Sequence, residues 1–297
     1  MTSFTGIWVA LITPFTTTPD SAIDIPALKA LAAKLIREGV AGLVVCGSTG
    51  EAAALSEEEQ LQVLDAVLDV VPAQQVVMGL SGNHMQHVLA RLQAIQQRGV
   101  AGILVTAPYY IRPSQAGLLD YFNTIANAST VPVVLYNIPY RTGVNMELAT
   151  LLTLARHPNI VAIKDCGGNL HATMALIADG HLQVLTGEDY QLLSALSIGA
   201  AGAILASAHI RADLFVRLHA LISDGKLLPA REIFYQLLPM LQTLFEEPNP
   251  APLKAALAEL GLIQDGLRAP MHMATPETRE KLHQLLLPLY PELAKPA

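Results

Sequence analysis

Eight short apolar runs, each followed by a stretch with helical spacing, constrain this chain more than any other feature. The runs cover 6–13, 42–46, 76–80, 102–106, 133–137, 159–165, 183–186 and 202–206. They are rich in β-branched residues and stop at Gly, Pro or polar residues, so they read as buried strands. The first intervening stretch, 26–38, sets apolar residues at 28, 31, 32, 35 and 36, the spacing of one helix face. Gly39 then stops it as a C-cap would. Ser56 followed by Glu57-Glu58-Glu59 reads as an N-cap with an acidic first turn. Further helices are expected over 84–98, 114–128, 146–156, 170–178, 190–197 and 210–223.

Eight such units in about 220 residues predict an α/β fold, a closed (β/α)8 TIM barrel. A recurring tetrapeptide supports this. Gly39-Val40-Ala41-Gly42, Gly99-Val100-Ala101-Gly102 and Gly199-Ala200-Ala201-Gly202 each join a helix stop to a strand start. An open doubly wound sheet ranks lower, because it often carries GxGxxG after strand one, and here Thr13-Pro14-Phe15 follows. From Lys226 onward the strand pattern ends. Helices over 227–245, 251–259 and 276–287 predict a C-terminal helical extension, so 1–224 is read as the barrel and 225–297 as the extension.

Composition narrows the class. An apolar share of 52% with 14% charged residues means a large core and argues against disorder. A net charge of −7 with no basic block argues against nucleic-acid binding. Cys46 and Cys166 do not suggest a disulfide scaffold, and reduced thiols in a cytoplasmic protein are expected. Residues 1–15 lack the basic start and cleavage site of a signal peptide. No run of 18 apolar residues occurs, so no membrane span is expected.

In such a barrel the chemistry sits at the carboxyl ends of the strands. Of seven lysines, only Lys164 ends an apolar run. Burying an ammonium is costly, so Lys164 needs a partner, with Asp165 the nearest in sequence, or a task. Desolvation lowers a lysine pKa and frees the amine to attack a carbonyl. The other strand ends offer Gly47-Ser48-Thr49-Gly50-Glu51, Pro108-Tyr109-Tyr110 with Arg112, Tyr136-Asn137 with Arg141, Gly187-Glu188-Asp189 and Ser207-Ala208-His209. Ser48 and Thr49 between glycines form either an ordinary turn or a carboxylate cradle. Tyr136 is either core or catalyst. Tyr109-Tyr110 suits packing or an interface, and Arg141 could be a surface charge. Taken together, a lysine, tyrosines, paired hydroxyls and an arginine on one face suit an oxo-acid held by its carboxylate and attacked at its carbonyl. His84 and His209 lack zinc-ligand spacing, so no metal is expected.

At GSTGE, TAPYYIRPSQ, YNIPYRTG, IKDCGGNL and EEPNPAPLK the chain resembles the dihydrodipicolinate synthase family, a branch of the class I pyruvate aldolases that also hold N-acetylneuraminate lyase. The match spans nearly the whole chain, in order. The resemblance implies a lyase of lysine and diaminopimelate biosynthesis that condenses pyruvate with L-aspartate 4-semialdehyde and uses no cofactor. It implies that Lys164 forms the Schiff base with pyruvate. Tyr136, Ser48 and Tyr110 are implied as a proton-relay triad, with Tyr110 reaching a neighbouring subunit's site. Thr49 is implied to hold the pyruvate carboxylate and Arg141 that of the semialdehyde, with Gly187 and Ile204 also lining the substrate site. A homotetramer built as a dimer of dimers is implied.

Some positions depart from the family pattern. Ser48 stands where the synthase usually has threonine, Asp165 where glutamate is usual, and Ile204-Leu205-Ala206 replaces an isoleucine-serine-valine run. In lysine-inhibited members, an interface site holds lysine. Asn83 and Tyr109 match that site, but His87 replaces its glutamate and Glu57 and Gln60 replace its histidines, which predicts weak feedback. Two other readings stand beside the synthase. One is a sister aldolase acting on a sugar acid or another aldehyde, against which Arg141 speaks. The other is a non-catalytic regulator that binds an oxo-acid, against which the intact Lys164, Tyr136 and Ser48 set speaks.

Overall fold

The computed structural model describes residues 3–18 and 21–294. Met1, Thr2 and residues 295–297, at the outer ends of the two expected divisions, lie outside the described residues, as does Lys295. Eight parallel strands close into a barrel in sequence order: β1 (Gly6–Ala10), β2 (Gly42–Val45), β3 (Val76–Leu80), β4 (Gly102–Thr106), β5 (Val133–Asn137), β6 (Ile160–Asp165), β7 (Gln183–Thr186) and β8 (Gly202–Leu205). Closure comes from β1 pairing with β8, with Trp8 opposite Ile204. The expected (β/α)8 barrel is the fold, and its C-terminal helices are present.

Side chains alternate across each strand, as a period of two requires. On β5, Val134 and Tyr136 join the barrel interior, while Val133 and Leu135 join the layer between sheet and helices. The interior also takes Trp8, Val44, Leu104, Ala162, Leu185 and Ile204. Packing inside it explains the repeated tetrapeptide. Gly39, Gly99 and Gly199 have φ of +90°, +68° and +102°, the left-handed geometry of a helix stop. A Cβ on Gly42 would meet the Trp8 ring at 2.3 Å, and one on Gly202 the Gly6 carbonyl oxygen at 2.1 Å. The second glycine therefore lets the strands meet at the barrel floor.

The helices around the barrel are α1 (Ile25–Arg37), α2 (Glu57–Leu68), α3 (Met85–Gln96), α4 (Gln115–Ala128), α5 (Pro139–Thr142), α6 (Leu148–Leu154), α7 (Leu170–Asp179), α8 (Leu192–Ser197) and α9 (Ala212–Ser223). Ser56 caps α2 with the expected geometry, and Glu59 completes a capping box. Four stretches differ from the sequence expectation, the first being strand one, expected over 6–13, which ends at Ala10 with the Ile12 amide bonded to His209 Nε2. The helix expected over 146–156 shrinks to α6, and the Met146 and Glu147 amides before it bond to Asn137 Oδ1 and Gln115 Oε1, each at 3.1 Å. A separate turn, α5, precedes it and ends at Gly143 with φ of +79°. After β8, the Ser207–His209 turn and Arg211, at φ of +56°, delay α9 to Ala212.

Beyond α9 lie α10 (Leu227–Leu244), α11 (Ala251–Glu259) and α12 (Pro276–Leu289). Helix α10 packs on α9 and α12, and α11 on α12. The turn between α10 and α11 lies over the carboxyl ends of the strands. Among the described residues, no helix is long and apolar enough to cross a membrane.

Candidate active site

Strand register sets the centre of the site. Thr106, Tyr136 and Lys164 occupy neighbouring positions on β4, β5 and β6. Lys164 and Tyr136 are both buried, at 6% and 4% exposure, and the ammonium lies 4.4 Å from the phenol ring centroid. Asp165 points away. Its carboxylate accepts from the Gly167 amide at 2.9 Å and from Thr173 Oγ1 at 2.6 Å. The simple pairing of Lys164 with Asp165 is therefore absent, and Lys164 makes no ion pair among the described residues.

Burial lowers the Lys164 pKa from its ordinary value, against the pull of Cys166, Asp189 and Glu188. Burial also pushes the Tyr136 phenol well above its ordinary range, opposed by a hydrogen bond from Ser48 and by the charge of Arg141. Asp189 rises to about 6 through burial, although Ser207 bonds it through both its amide and its hydroxyl. The centre thus disfavours charge, which leaves the lysine amine more available to an electrophile than an exposed one.

Gly187 gives Lys164 its space. A Cβ there would meet Lys164 Cε at 2.5 Å and Cys166 Sγ at 2.4 Å. Ile204 is buried in the barrel interior below the site. Two lobes meet at Ser48, Tyr136 and Arg141. The larger, of about 410 Å³, holds Lys164, Thr49, Tyr140, Gly187, Glu188 and Asn249. The smaller, of about 230 Å³, holds Thr106, Leu104, Ser81, Ala52 and Tyr109. Ser48 and Arg141 stand exposed at the junction, whereas Thr49 is buried.

Several contributors carried no assigned role in the sequence reading. Asn249 Nδ2 donates to Thr49 Oγ1 at 3.0 Å, so the extension helps to build the site. The only sequence signal for it was the EEPNPAPLK stretch. Tyr140 donates to Glu188 Oε1 at 3.0 Å across the mouth of the larger lobe. Beneath the Ser48–Thr49 turn, Glu51 forms a buried ion pair with Lys254 of α11. Lys254, with no exposure, also donates to the Gly266 carbonyl at 2.9 Å and lies 4.2 Å from the Phe15 ring centroid.

Tyr110 lies apart from these groups within the chain. It is 90% exposed, has φ of +70° and lines neither lobe. Tyr109 lines the smaller lobe, and its amide donates to Asn83 Oδ1 at 3.1 Å. His87 is exposed and stacks on His84 with centroids 4.3 Å apart. Glu57 and Gln60 line a separate cavity between α2 and α3 with Arg91. Gln60 is already bonded there, donating to the Ala52 carbonyl at 3.0 Å and accepting from Arg91.

Comparison with known proteins gives a consistent picture. The sequence model of the dihydrodipicolinate synthetase family matches residues 3–288. A 4-hydroxy-tetrahydrodipicolinate synthase from Magnetococcus marinus is 37% identical over 289 residues, covering 96% of this chain and 98% of that protein. The chloride-inhibited dihydrodipicolinate synthase from Acinetobacter baumannii, solved in complex with pyruvate, superposes with a TM-score of 0.92 at 32% identity, over 97% of this chain and 99% of that one. The enzyme from Cyanidioschyzon merolae, solved with lysine bound, gives 0.92 at 31% identity, over 96% and 98%.

Proposed function

This chain belongs to the dihydrodipicolinate synthetase family, and from that premise we propose that it condenses pyruvate with L-aspartate 4-semialdehyde to give 4-hydroxy-tetrahydrodipicolinate. The observation that carries the reading is Lys164, a buried lysine without an ion pair among the described residues, beside the buried phenol of Tyr136. Its lowered pKa raises the share of neutral amine, the form that attacks the pyruvate ketone. The amine nitrogen bonds to the carbonyl carbon, the carbonyl oxygen leaves as water, and an imine forms. The imine draws electrons from the adjacent methyl group, whose proton leaves to give an enamine. The enamine carbon then attacks the aldehyde carbon; the aldehyde oxygen takes a proton to become the hydroxyl, and formation of the carbon–carbon bond restores the lysine imine. The amino group of the semialdehyde portion adds to the imine carbon and expels the Lys164 amine, closing the ring and freeing the lysine.

Tyr136 and Ser48 meet at the junction of the lobes and carry protons to and from the imine. Thr49, buried and held by Asn249, binds the pyruvate carboxylate with the backbone of its turn. Arg141 stands at the mouth of both lobes, where its guanidinium fork binds the carboxylate of the semialdehyde. A polyol tail would leave that fork without a partner, which disfavours a sugar-acid aldolase. Gly187 shapes the pocket wall, and Ile204 packs in the barrel interior beneath it. Tyr110, exposed in the single chain, completes the site of a neighbouring subunit in a cytoplasmic homotetramer.

Incubation with pyruvate and borohydride tests the reading by intact mass. One reduced pyruvyl group is expected per chain, and Lys164→Ala should abolish it. No adduct, or an adduct on another lysine, overturns the Schiff-base mechanism.

A further inference from the structure

Ser48, Thr49, Gly50 and Glu51 form one turn beyond the carboxyl end of β2, and its neighbours impose its shape. Glu51 has φ of +53°, a left-handed conformation that is unfavourable for a residue with a side chain. Its amide closes the turn by donating to the Ser48 carbonyl at 3.1 Å. Thr13 Oγ1 donates to the Gly50 carbonyl at 2.7 Å. Two further holds come from the C-terminal extension. Asn249 donates to Thr49 Oγ1 at 3.0 Å, and the Lys254 ammonium pairs with the Glu51 carboxylate. Asn249 lies just before α11 and Lys254 within it. One short segment of the extension therefore grips the turn at both Thr49 and Glu51.

Both members of the ion pair are buried, Lys254 with no exposure. Such a pair is a poor source of stability, since apolar residues of similar volume often serve as well or better. What a charge-assisted contact supplies, and apolar packing does not, is direction. Lys254 is itself held in place by the Gly266 carbonyl at 2.9 Å and the Phe15 ring at 4.2 Å. Neither member of the pair lines either lobe, so neither touches substrate. We propose that Glu51 and Lys254 are positioning residues for pyruvate, holding the turn so that Thr49 meets the substrate carboxylate, and that the extension thereby sets the affinity for pyruvate. This rests on the Schiff-base reading given above. Arg141, which serves the semialdehyde, stands on α5, outside the turn.

The initial rate of borohydride-trapped adduct, followed against pyruvate concentration, gives the half-saturating pyruvate. The double variant Glu51→Met/Lys254→Met replaces the pair with apolar chains of similar length. It should melt near the wild-type temperature, yet need about tenfold more pyruvate, the lower end of what one hydrogen bond to a charged group is worth. KM for the semialdehyde at saturating pyruvate should stay unchanged. Should the double variant fail to fold, Glu51→Gln, which keeps the shape and loses the charge, carries the same test with the same direction of change. A folded variant with wild-type half-saturation overturns the proposal. So does a joint rise for both substrates, which would mean a general loosening of the lobe. Glu51→Gln and Lys254→Met shifting half-saturation in opposite directions also overturns it, because the two charges would then act on the carboxylate from a distance. Wild-type protein that traps no pyruvate overturns the parent reading instead.

Discussion

Gly187→Ala tests whether the space around Lys164, more than its burial, sets its reactivity. Gly187 does not have a positive φ, so alanine meets no backbone strain there. The obstacle is contact alone. The added methyl would lie 2.5 Å from Lys164 Cε, 2.9 Å from Lys164 Cγ and 2.4 Å from Cys166 Sγ. Ordinary carbon contacts lie at about 3.5–4.0 Å. The lysine must therefore retreat by about 1 Å, toward the Tyr136 ring or out into the larger lobe. A displacement of that size at a reacting group can cost about a hundredfold in rate. Imine formation, measured as borohydride-trapped adduct against time at saturating pyruvate, should slow by roughly that factor. Melting temperature should fall only modestly, because the cavity beside the lysine can absorb the shift. Adding Cys166→Ala to Gly187→Ala removes the sulfur contact and leaves both lysine contacts, so it should recover stability more than rate. A Gly187→Ala protein that traps pyruvate at the wild-type rate would refute the reasoning.

Arg141→Ala should raise KM for the semialdehyde and leave pyruvate trapping intact; loss of trapping would mean the arginine serves pyruvate instead. Lysine should inhibit weakly, because His87 cannot replace a carboxylate as an ammonium partner, and half-inhibition at submillimolar lysine in an activity titration would contradict this. Lys254→Met strands the buried Glu51 carboxylate, and breaking one side of such a pair costs about 3–5 kcal/mol; an unchanged urea midpoint would refute that role. His209 is buried, accepts from the Ile12 amide through Nε2, bonds Ala206 through Nδ1, and is lowered from 6.5 to about 4 by burial. Its folded pKa is depressed, so the unfolded chain takes up the proton first and stability should fall as pH drops through 6.5 to 4, by about 3 kcal/mol in total. Wild type and His209→Gln compared at each pH should reveal that slope, and parallel pH profiles would exclude it.

The barrel was readable because β-branched runs and amphipathic stretches alternate without ambiguity, and because Ser56 marks a helix start by local chemistry. Boundaries failed where a tertiary bond took over a local group. The Met146 amide goes to Asn137 and the Ile12 amide to His209, and no window of sequence reports either. The site divides the same way. Lys164 was conspicuous because a charge ends an apolar run. Glu188 and Gly187 were visible as strand-end residues, but the need for glycine at 187 appears only when the β6 side chains stand beside it. Asn249 comes from a turn 200 residues from Thr49.

The two buried lysines show what separates a nucleophile from a strut. Burial lowers the pKa of both Lys164 and Lys254. At Lys254 the Glu51 carboxylate in direct contact pulls the value back up, and the Gly266 carbonyl fills a further hydrogen-bond position. That nitrogen is committed to the carboxylate and the carbonyl, and its work is to hold α11 against the turn that carries Ser48 and Thr49. At Lys164 no carboxylate forms an ion pair among the described residues, and Glu188, one of the carboxylates lining the same lobe, accepts from Tyr140. Asp189 is taken by Ser207. Asp189 and Glu188 pull on Lys164 only from a distance while bonded to other groups, so for its amine the cost of desolvation outweighs their compensation. A stabilising partner would make the fold firmer and the lysine inert. The same division of labour explains why the extension is part of the site: the pair that it closes under the Ser48–Thr49 turn uses a buried charge for rigidity, which leaves the charge above free for chemistry.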